Sequence, residues 1–296
     1  MAGSWSRRLL KIRAKRGLSR AVQAVAAPTS AAGVRCLTYH SIVPDARDDP
    51  EQLTTPLGLF DEQIAFLAAN GYYVEAASQV VARLARGESP APKTVTLAFD
   101  DGFADSYHLA LPVLEKYRFP ATVFLVTAAL DGERAPAPGF RDGEWLTWAQ
   151  AREMQAGGLI DFGCHSATHR KLRGLGAEAL RAETEGAKRR LENGLGRAVE
   201  LFAYPFGSYG SWDAAARRAV ERAGFLGAFT TVFGVNTPST DRFLLRRSRI
   251  SWCDEIPEFA RMLRGAYDWY AFAQLLQAPG VRWSRGRVRA DRRVSQ

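Results

Sequence analysis

Short apolar segments and longer amphipathic segments alternate along the chain from residue 33 to residue 252. The short segments are rich in β-branched and aromatic residues, and they predict strands at 33–43, 93–102, 121–130, 158–165, 200–207, 226–234 and 242–252. Periodic apolar positions predict helices between them, at 58–70, 104–119, 146–157, 176–194 and 211–225. Strands that alternate with helices of this length indicate an α/β fold with a parallel sheet, open or closed into a barrel.

The length and composition of the chain fit one large domain. With 296 residues, of which 47% are hydrophobic, the chain can bury a sizeable core. No internal repeat, low-complexity tract or linker interrupts it. We therefore predict a catalytic domain over residues 33–280, preceded by a basic arm at 1–32 and followed by a basic tail at 281–296.

Positive charge is concentrated in the arm and the tail. Residues 1–20 hold seven Lys or Arg and no acid, and residues 281–296 hold six Arg and one acid, so the net charge of +9 leaves about −3 between them. A net charge of about −3 on the residues between the two basic ends does not predict a nucleic-acid interface. The arm fits a basic amphipathic helix that lies on an anionic membrane, or an extension packed on the domain. The apolar side of such a helix would hold Trp5, Leu9, Leu10, Ile12 and Leu18.

The sequence shows no clear export signal. The apolar segment at 21–28 is short and is broken by Gln23, and no apolar run reaches the roughly eighteen residues that span a bilayer. The three cysteines are widely spaced and odd in number, which is not typical of a disulfide framework; Cys164, beside His165, is interpreted as a small buried residue. We expect a cytoplasmic protein, with peripheral contact at the inner membrane face as an alternative.

Polar residues collect where the predicted strands end. In α/β folds the carboxyl ends of the strands carry the chemistry. Applied to this chain, that rule selects His40, Asp100, Asp101, His165, His169, Tyr204, Pro205 and Phe206. His165 and His169 are four residues apart, a spacing that on a helix would place both rings on one face.

The pair of acids at 100–101 points to metal-assisted hydrolysis. Adjacent carboxylates after a buried strand repel each other and lose solvation, so each needs a favourable partner. Two histidines and one carboxylate are the ligands of many catalytic zinc sites, in which another position is open for water. The second carboxylate can then accept a proton from that water.

Three motifs carry a resemblance to a known family. FDDG at 99–102, HSATH at 165–169 and YPFG at 204–207 resemble the first three motifs of the polysaccharide deacetylases, and the match extends over residues 34 to about 250. The resemblance implies a distorted (β/α) barrel of about seven strands and removal of an N-acetyl group from an amino sugar. It implies Asp100 as general base and Asp101, His165 and His169 as ligands of a divalent metal. Zinc is the default, with cobalt, nickel, iron or manganese as alternatives.

The resemblance also implies a substrate groove at the third motif. The backbone N–H of Tyr204 would help to hold the oxyanion, while Pro205 and Phe206 would form a wall of the groove. The family often has an arginine two residues before the proline of this motif, where this chain has Ala203. The residue that replaces this arginine must therefore come from elsewhere.

Histidine is absent after His169, so the late histidine that commonly serves this family as general acid is missing. LTYHSI at 37–42 resembles the poly-N-acetylglucosamine deacetylase branch, which implies His40 as the acid. LLRRSRI at 244–250 resembles the late strand of that branch, which implies Arg247, or Arg249 as second choice, as the residue that orients Asp100. We assign no role to His108 in the helix after the acids.

Two other functions remain open on the sequence alone. A deformylase or deacylase of lipid-linked sugars would use the same residues, and the basic arm without an export signal favours a substrate at the inner membrane face. A catalytically inactive carbohydrate-binding relative is the other alternative. It is disfavoured because the acids and histidines of the motifs are all present.

Overall fold

The computed structural model describes residues 12–21, 33–45, 49, 51–133 and 144–278. Within these residues the strands are β1 (Arg35–Tyr39), β2 (Ser41–Val43), β3 (Thr54–Pro56), β4 (Tyr73–Val74), β5 (Thr94–Phe99), β6 (Ala121–Leu125), β7 (Ile160–Cys164), β8 (Leu201–Ala203), β9 (Gly227–Phe229) and β10 (Ser248–Arg249). The α-helices are α1 (12–21), α2 (Leu57–Ala69), α3 (Ala77–Ala85), α4 (Leu111–Tyr117), α5 (Thr127–Leu130), α6 (Trp148–Ala156), α7 (Ala177–Arg181), α8 (Ala187–Leu195), α9 (Ala214–Arg222), α10 (Ile256–Leu263) and α11 (Tyr270–Leu276). Two π-helical turns, Ser106–Ala110 and Ala182–Gly186, precede α4 and α8.

Seven parallel strands form one curved sheet in the order β10-β1-β5-β6-β7-β8-β9, and β4 adds to β5 beside this path. The segment before and after β10 contacts both ends of the sheet. The N–H of Leu245 donates to the carbonyl of Ala228 in β9 (2.9 Å), and the N–H of Ile250 donates to the carbonyl of Thr38 in β1 (2.8 Å). The sheet is thus curled into a half-barrel with helices packed around it, which confirms the predicted (β/α) barrel-like fold of about seven strands.

The central strands are continuous apolar runs in the sequence because they lie in the core. Every residue of β5 and β6 is buried, as expected for central strands that are covered on both faces. Helix α2 buries Phe60, Ile64 and Leu67, the positions that its periodicity predicts. It ends at Asn70, and Gly71 (φ +67°) follows in the left-handed conformation that favours glycine.

Some predicted elements differ in extent. The predicted strand at 121–130 ends at Leu125, and its second half forms α5, because the N–H of Asp131 donates to the carbonyl of Thr127 (3.0 Å) and closes a helical turn. The strands predicted at 226–234 and 242–252 shorten to β9 and β10. Helices α3, α10 and α11 lie in segments for which the pattern predicted no element. Most of the predicted loop at 131–143 lies outside the described residues.

Helix α1 covers the described part of the basic arm. Trp269 donates from Nε1 to the hydroxyl of Ser19 (3.1 Å), and Arg20 pairs with Glu258 of α10 (3.2 Å), so α1 packs on the domain through polar contacts. Leu18 remains 48% exposed. Trp5, Leu9, Leu10 and the basic tail lie outside the described residues. Among the helices that the structure describes, none is long and apolar enough to cross a membrane.

The three cysteines are buried and unpaired. Burial raises the pKa of Cys36 to about 11, that of Cys164 to about 12 and that of Cys253 to about 11. Cys164 is fully buried in β7, in agreement with its interpretation as a packing residue.

Candidate active site

A cavity of about 880 Å³ opens at the carboxyl ends of the strands. Its floor holds His40, Asp100, Asp101, His165 and His169, which follow β1, β5 and β7. Phe206, after β8, contributes to its wall. The rule that polar residues meet at the strand ends therefore brings these side chains into one site.

The two acids lie on a tight turn after β5. The N–H of Asp100 donates to the carbonyl of Tyr39 (3.0 Å), which continues the ladder to the edge of the sheet. Asp101 (φ +76°) and Gly102 (φ +79°) then take left-handed conformations. A Cβ on Gly102 would lie 2.9 Å from Cδ2 of Leu125, so this position needs glycine. The positive φ of Asp101 costs of order 1–3 kcal/mol, as strained backbone at functional sites does.

The two histidines lie in a loop rather than on a helix. Ser166 (φ +68°) and His169 (φ +55°) bend the chain after β7, and the hydroxyl of Ser166 accepts the N–H of His169 (3.0 Å). The ring centroids of His165 and His169 come within 4.9 Å of each other. The two histidine rings are thus brought together by a bent loop, and the four-residue spacing does not reflect a helix.

A buried acid of the π-helical turn holds this loop in place. Glu183 accepts the N–H groups of Ala167 and Thr168 (both 3.0 Å) and the Thr168 hydroxyl (2.6 Å). The sequence analysis missed Glu183, since it is one of several acids in a polar helical segment. Its only signal would have been its place on the buried side of that segment.

Asp101, His165 and His169 form a donor set that fits a divalent metal ion. One ligand atom from each lies within 4.8 Å of the others. Oδ1 of Asp101 lies 3.4 Å from Nε2 of His165 and 3.2 Å from Nε2 of His169, so three electron-pair donors face a common point. Nδ1 of His165 is 2.7 Å from the carbonyl of Ala203, a partner that places the proton on Nδ1 and leaves Nε2 for a metal. Imidazole and carboxylate together suit zinc and other first-row ions.

Arg247 holds the carboxylate of Asp100 through two parallel hydrogen bonds. Nη1 and Nη2 donate to Oδ1 and Oδ2 at 2.7 and 2.8 Å, and Nε donates to the carbonyl of Thr230 at 2.9 Å. Both side chains are almost fully buried. Burial alone would raise the pKa of Asp100, but the charges of Arg247 and His165 lower it below its ordinary value. The contact thus selects Arg247 over Arg249 as the arginine that faces Asp100.

We expect Arg247→Met to destabilise the folded protein by about 3–5 kcal/mol, because it leaves a buried carboxylate without its partner. Chemical denaturation of the metal-free protein measures this free energy. The double variant Arg247→Met/Asp100→Asn should recover part of the loss, since it removes the unpaired charge.

Arg86→Met is the matched control, because Arg86 pairs with Glu88 at 2.7 Å on the exposed surface. Its expected cost is small, because an exposed ion pair in water contributes little to stability. Equal losses in Arg86→Met and Arg247→Met would contradict the importance of the buried pair.

His40 lies at the same edge as the acids, between β1 and β2. It is buried, and its Nδ1 makes no hydrogen bond within the described residues. Burial lowers the pKa of His40 to about 4, although the negative charges of Asp101 and Asp100 oppose this. His108, by contrast, is exposed and lies outside the cavity, with Nε2 3.2 Å from Nε2 of Gln150.

The third motif requires a correction. The N–H of Tyr204 donates to the carbonyl of Phe229 (3.0 Å) as part of the β8–β9 ladder, so it is not available to an oxyanion. Tyr204 and Pro205 are buried behind the cavity wall and do not line it. Phe206 does line it, is 42% exposed and packs against the ring of His169 (centroids 4.9 Å apart). Of the two residues predicted to form the substrate wall, Phe206 lines the cavity and Pro205 does not.

Comparison with known proteins agrees with this geometry. Residues 87–228 match the family model of polysaccharide deacetylases. The chain is 28% identical over 215 residues to the putative polysaccharide deacetylase YxkH of Bacillus subtilis (strain 168), with 73% of this chain and 70% of that protein covered. It is 28% identical over 140 residues to the poly-beta-1,6-N-acetyl-D-glucosamine N-deacetylase of Escherichia coli (strain K12); this covers 45% of this chain but only 20% of that protein.

A solved structure extends the comparison to three dimensions. The Streptococcus pyogenes deacetylase PplD in complex with acetate superposes with a TM-score of 0.68 at 25% identity, and covers 78% of this chain and 98% of that one. The motif residues at 99–102, 165–169 and 204–207 all fall within the segment that matches the family model. Over residues 87–228 the chain is therefore similar to polysaccharide deacetylases.

Proposed function

We propose that this protein is a metal-dependent hydrolase that removes an N-acetyl group from an amino sugar of a polysaccharide, oligosaccharide or glycolipid precursor. One observation carries the proposal: the donor set of Asp101, His165 and His169 lies beside the buried Asp100–Arg247 pair, within one cavity. This combination provides metal ligands and a separate, oriented base. The names of the relatives support acetylated sugar polymers as the substrate class.

Asp101, His165 and His169 would hold the metal, zinc by default. A bound divalent ion polarises a carbonyl group and lowers the pKa of a water molecule toward ~7. Asp100 accepts the proton of the attacking water, using lone pairs that its bonds to Arg247 leave open. Arg247 is a positioning residue in this scheme, since it fixes the direction of the carboxylate.

An oxyanion donor is needed where the tetrahedral intermediate forms. We assign this role to the backbone N–H of Phe206 in place of Tyr204. The Phe206 N–H makes no hydrogen bond within the described residues, and the residue lines the cavity. Its left-handed conformation (φ +62°) sets the direction of this peptide group next to His169.

His40 is our proposed general acid for the leaving amine. With a pKa of about 4 its imidazole is neutral in the resting site at pH 7, so its proton must arrive during turnover. We assign Asp100 as the source, once that residue has taken the proton of the water. Negative charge on the intermediate would favour the protonated ring at that moment.

We expect His40→Ala to lower kcat on an N-acetyl amino sugar by ~10²–10⁴-fold, the usual share of a positioned acid. The same variant should hydrolyse 4-nitrophenyl acetate at nearly the rate of the wild type, because nitrophenolate leaves without a proton. Parallel assays of the two substrates make the comparison. Equal losses on amide and ester would show that His40 supports the site without donating a proton.

The proposed function itself is tested by the release of acid from N-acylated sugars. The wild-type protein, loaded with zinc, is incubated with chitin oligomers, with poly-N-acetylglucosamine fragments and with N-formyl analogues, and acetate and formate are measured by mass spectrometry. Acetate release that stops on chelation supports the proposal. Formate without acetate would favour a deformylase, and binding without release would favour a carbohydrate-binding relative.

A further inference from the structure

The cavity extends well beyond the metal ligands, and one side of it is cationic. Its lining runs from Asp100 and Asp101 to α1, from which Lys15 and Arg16 face inward. Arg249, at the end of β10, lines the cavity between these two regions. None of these three cations has a role in the proposed hydrolysis.

Arg249 differs from its neighbour Arg247 in having no partner. Residues two apart on a strand point to the same side, so both arginines reach the rim of the half-barrel. The guanidinium of Arg247 donates hydrogen bonds to Asp100 and to the carbonyl of Thr230. Arg249 is only partly exposed, yet its guanidinium makes no hydrogen bond or ion pair with any residue that the structure describes.

The charge of Arg249 acts on both ends of the cavity. Burial is the main cause of the low pKa of His40 and of Lys15, and the positive charge of Arg249 lowers both further, while the nearby acids oppose the shift. The guanidinium therefore lies within electrostatic reach of the catalytic end and of α1.

Few negative charges oppose these cations. Asp254 accepts the N–H and the hydroxyl of Ser251 (both 3.0 Å) and balances Lys15. Arg16 donates to the neutral carbonyl of Cys253. Glu51 is the other acid on this side of the cavity, and it is exposed to solvent. Asp254 thus acts on both Lys15 and Arg16, whereas Arg249 forms no ion pair with an acid among the described residues.

Aromatic rings complete this part of the cavity. The Lys15 ammonium lies 4.2 Å from the ring centroid of Phe233 and 4.3 Å from that of Tyr270, and Trp269 is a further lining residue. Aromatic walls lower the local dielectric constant, so a cation here attracts an anion more strongly than it would on an open surface. The same ring faces suit the apolar faces of sugars.

We propose that Arg249, together with Arg16 and Lys15, forms a subsite for an oxyanion that the amino sugar carries, a phosphate or a carboxylate. This inference rests on the proposed deacetylase function and narrows its substrate class to anionic amino sugars. The N-acyl group would lie at the metal ligands. The phosphate or uronate group of the same molecule would accept hydrogen bonds from the guanidinium of Arg249. Guanidinium groups recognise both kinds of oxyanion through paired hydrogen bonds.

Binding is measured on a protein without metal, so that phosphate does not bind a metal ion. Isothermal titration calorimetry on His165→Ala at low salt compares N-acetylglucosamine 1-phosphate with the uncharged methyl glycoside of N-acetylglucosamine. We expect the phosphate to bind more tightly. Adding Arg249→Gln should weaken phosphate binding by about 10- to 100-fold, the usual contribution of a charge-assisted contact, and leave the glycoside unchanged.

Arg264→Gln is the matched control, because Arg264 is exposed at the end of α10 and outside the cavity. Arg16→Gln provides a second variant if Arg249→Gln fails to fold. Inorganic phosphate and a glucuronate-containing disaccharide distinguish the two oxyanions; tighter binding of either supports the subsite. Equal affinity for charged and neutral sugars, or an Arg249→Gln affinity equal to that of the control, would overturn it.

Turnover by the wild type separates this inference from the function on which it rests. Acetate release from the neutral glycoside that is as fast as release from the phosphate would overturn the subsite and leave the deacetylase. Tight, Arg249-dependent phosphate binding without any acetate release would support the subsite and count against the deacetylase.

Discussion

His165→Ala is expected to yield a folded protein that retains almost no metal and shows almost no turnover. His165 supplies one of three donors, and the loss of any one leaves a pair that binds a divalent ion weakly. Without the ion the carbonyl is not polarised and the water keeps its high pKa. Metal content by elemental analysis, measured beside acetate release, gives both results on one preparation.

His108→Ala controls for the loss of a histidine as such, since His108 is exposed and lies outside the cavity. It should keep about one ion per chain and full activity. Stoichiometric metal in His165→Ala would exclude the proposed ligand set, whatever the activity.

Asp100→Asn is expected to keep the metal and to lose ~10²–10⁴-fold in kcat, the share of a positioned general base. The asparagine keeps the shape of the side chain and one acceptor for Arg247, but it cannot take the proton of the attacking water. Steady-state kinetics together with metal analysis separates this loss from the loss of metal expected for Asp101→Asn.

Asp61→Asn is the corresponding surface control, because Asp61 pairs with Lys116 at 3.0 Å in an exposed position. It should leave both metal and kcat unchanged. Near-normal turnover in Asp100→Asn, combined with lost activity and retained metal in Asp101→Asn, would mean that the two aspartates exchange roles.

The location of the candidate site was predictable because it depends on which residues follow the parallel strands, and not on individual side-chain contacts. Asp100, His40 and His165 each follow a strand directly, and parallel strands bring their carboxyl ends to one edge. This reasoning needs only the apolar pattern and the polar residue after it. It correctly places these side chains in one cavity, although the histidines lie in a loop and not on a helix.

Other features depend on contacts that no local pattern encodes. The N–H of Tyr204 donates to the carbonyl of Phe229, a residue 25 positions away. The sequence does not show which backbone N–H groups form hydrogen bonds between the strands. Glu183 reaches the histidine loop because a π-helical turn directs it inward. Helix α1 contacts the domain through Ser19 and Arg20 and leaves Leu18 exposed, which the sequence pattern does not indicate.

The burial of all three thiols makes the folded protein suitable for site-specific labelling. Maleimides and similar reagents attack thiolates, and thiols whose pKa is about 11 or 12 supply almost none at neutral pH. A cysteine introduced at Leu18 would thus be the one reactive thiol of the folded chain. A fluorophore at that position would report whether α1 stays against the cavity when a sugar enters it.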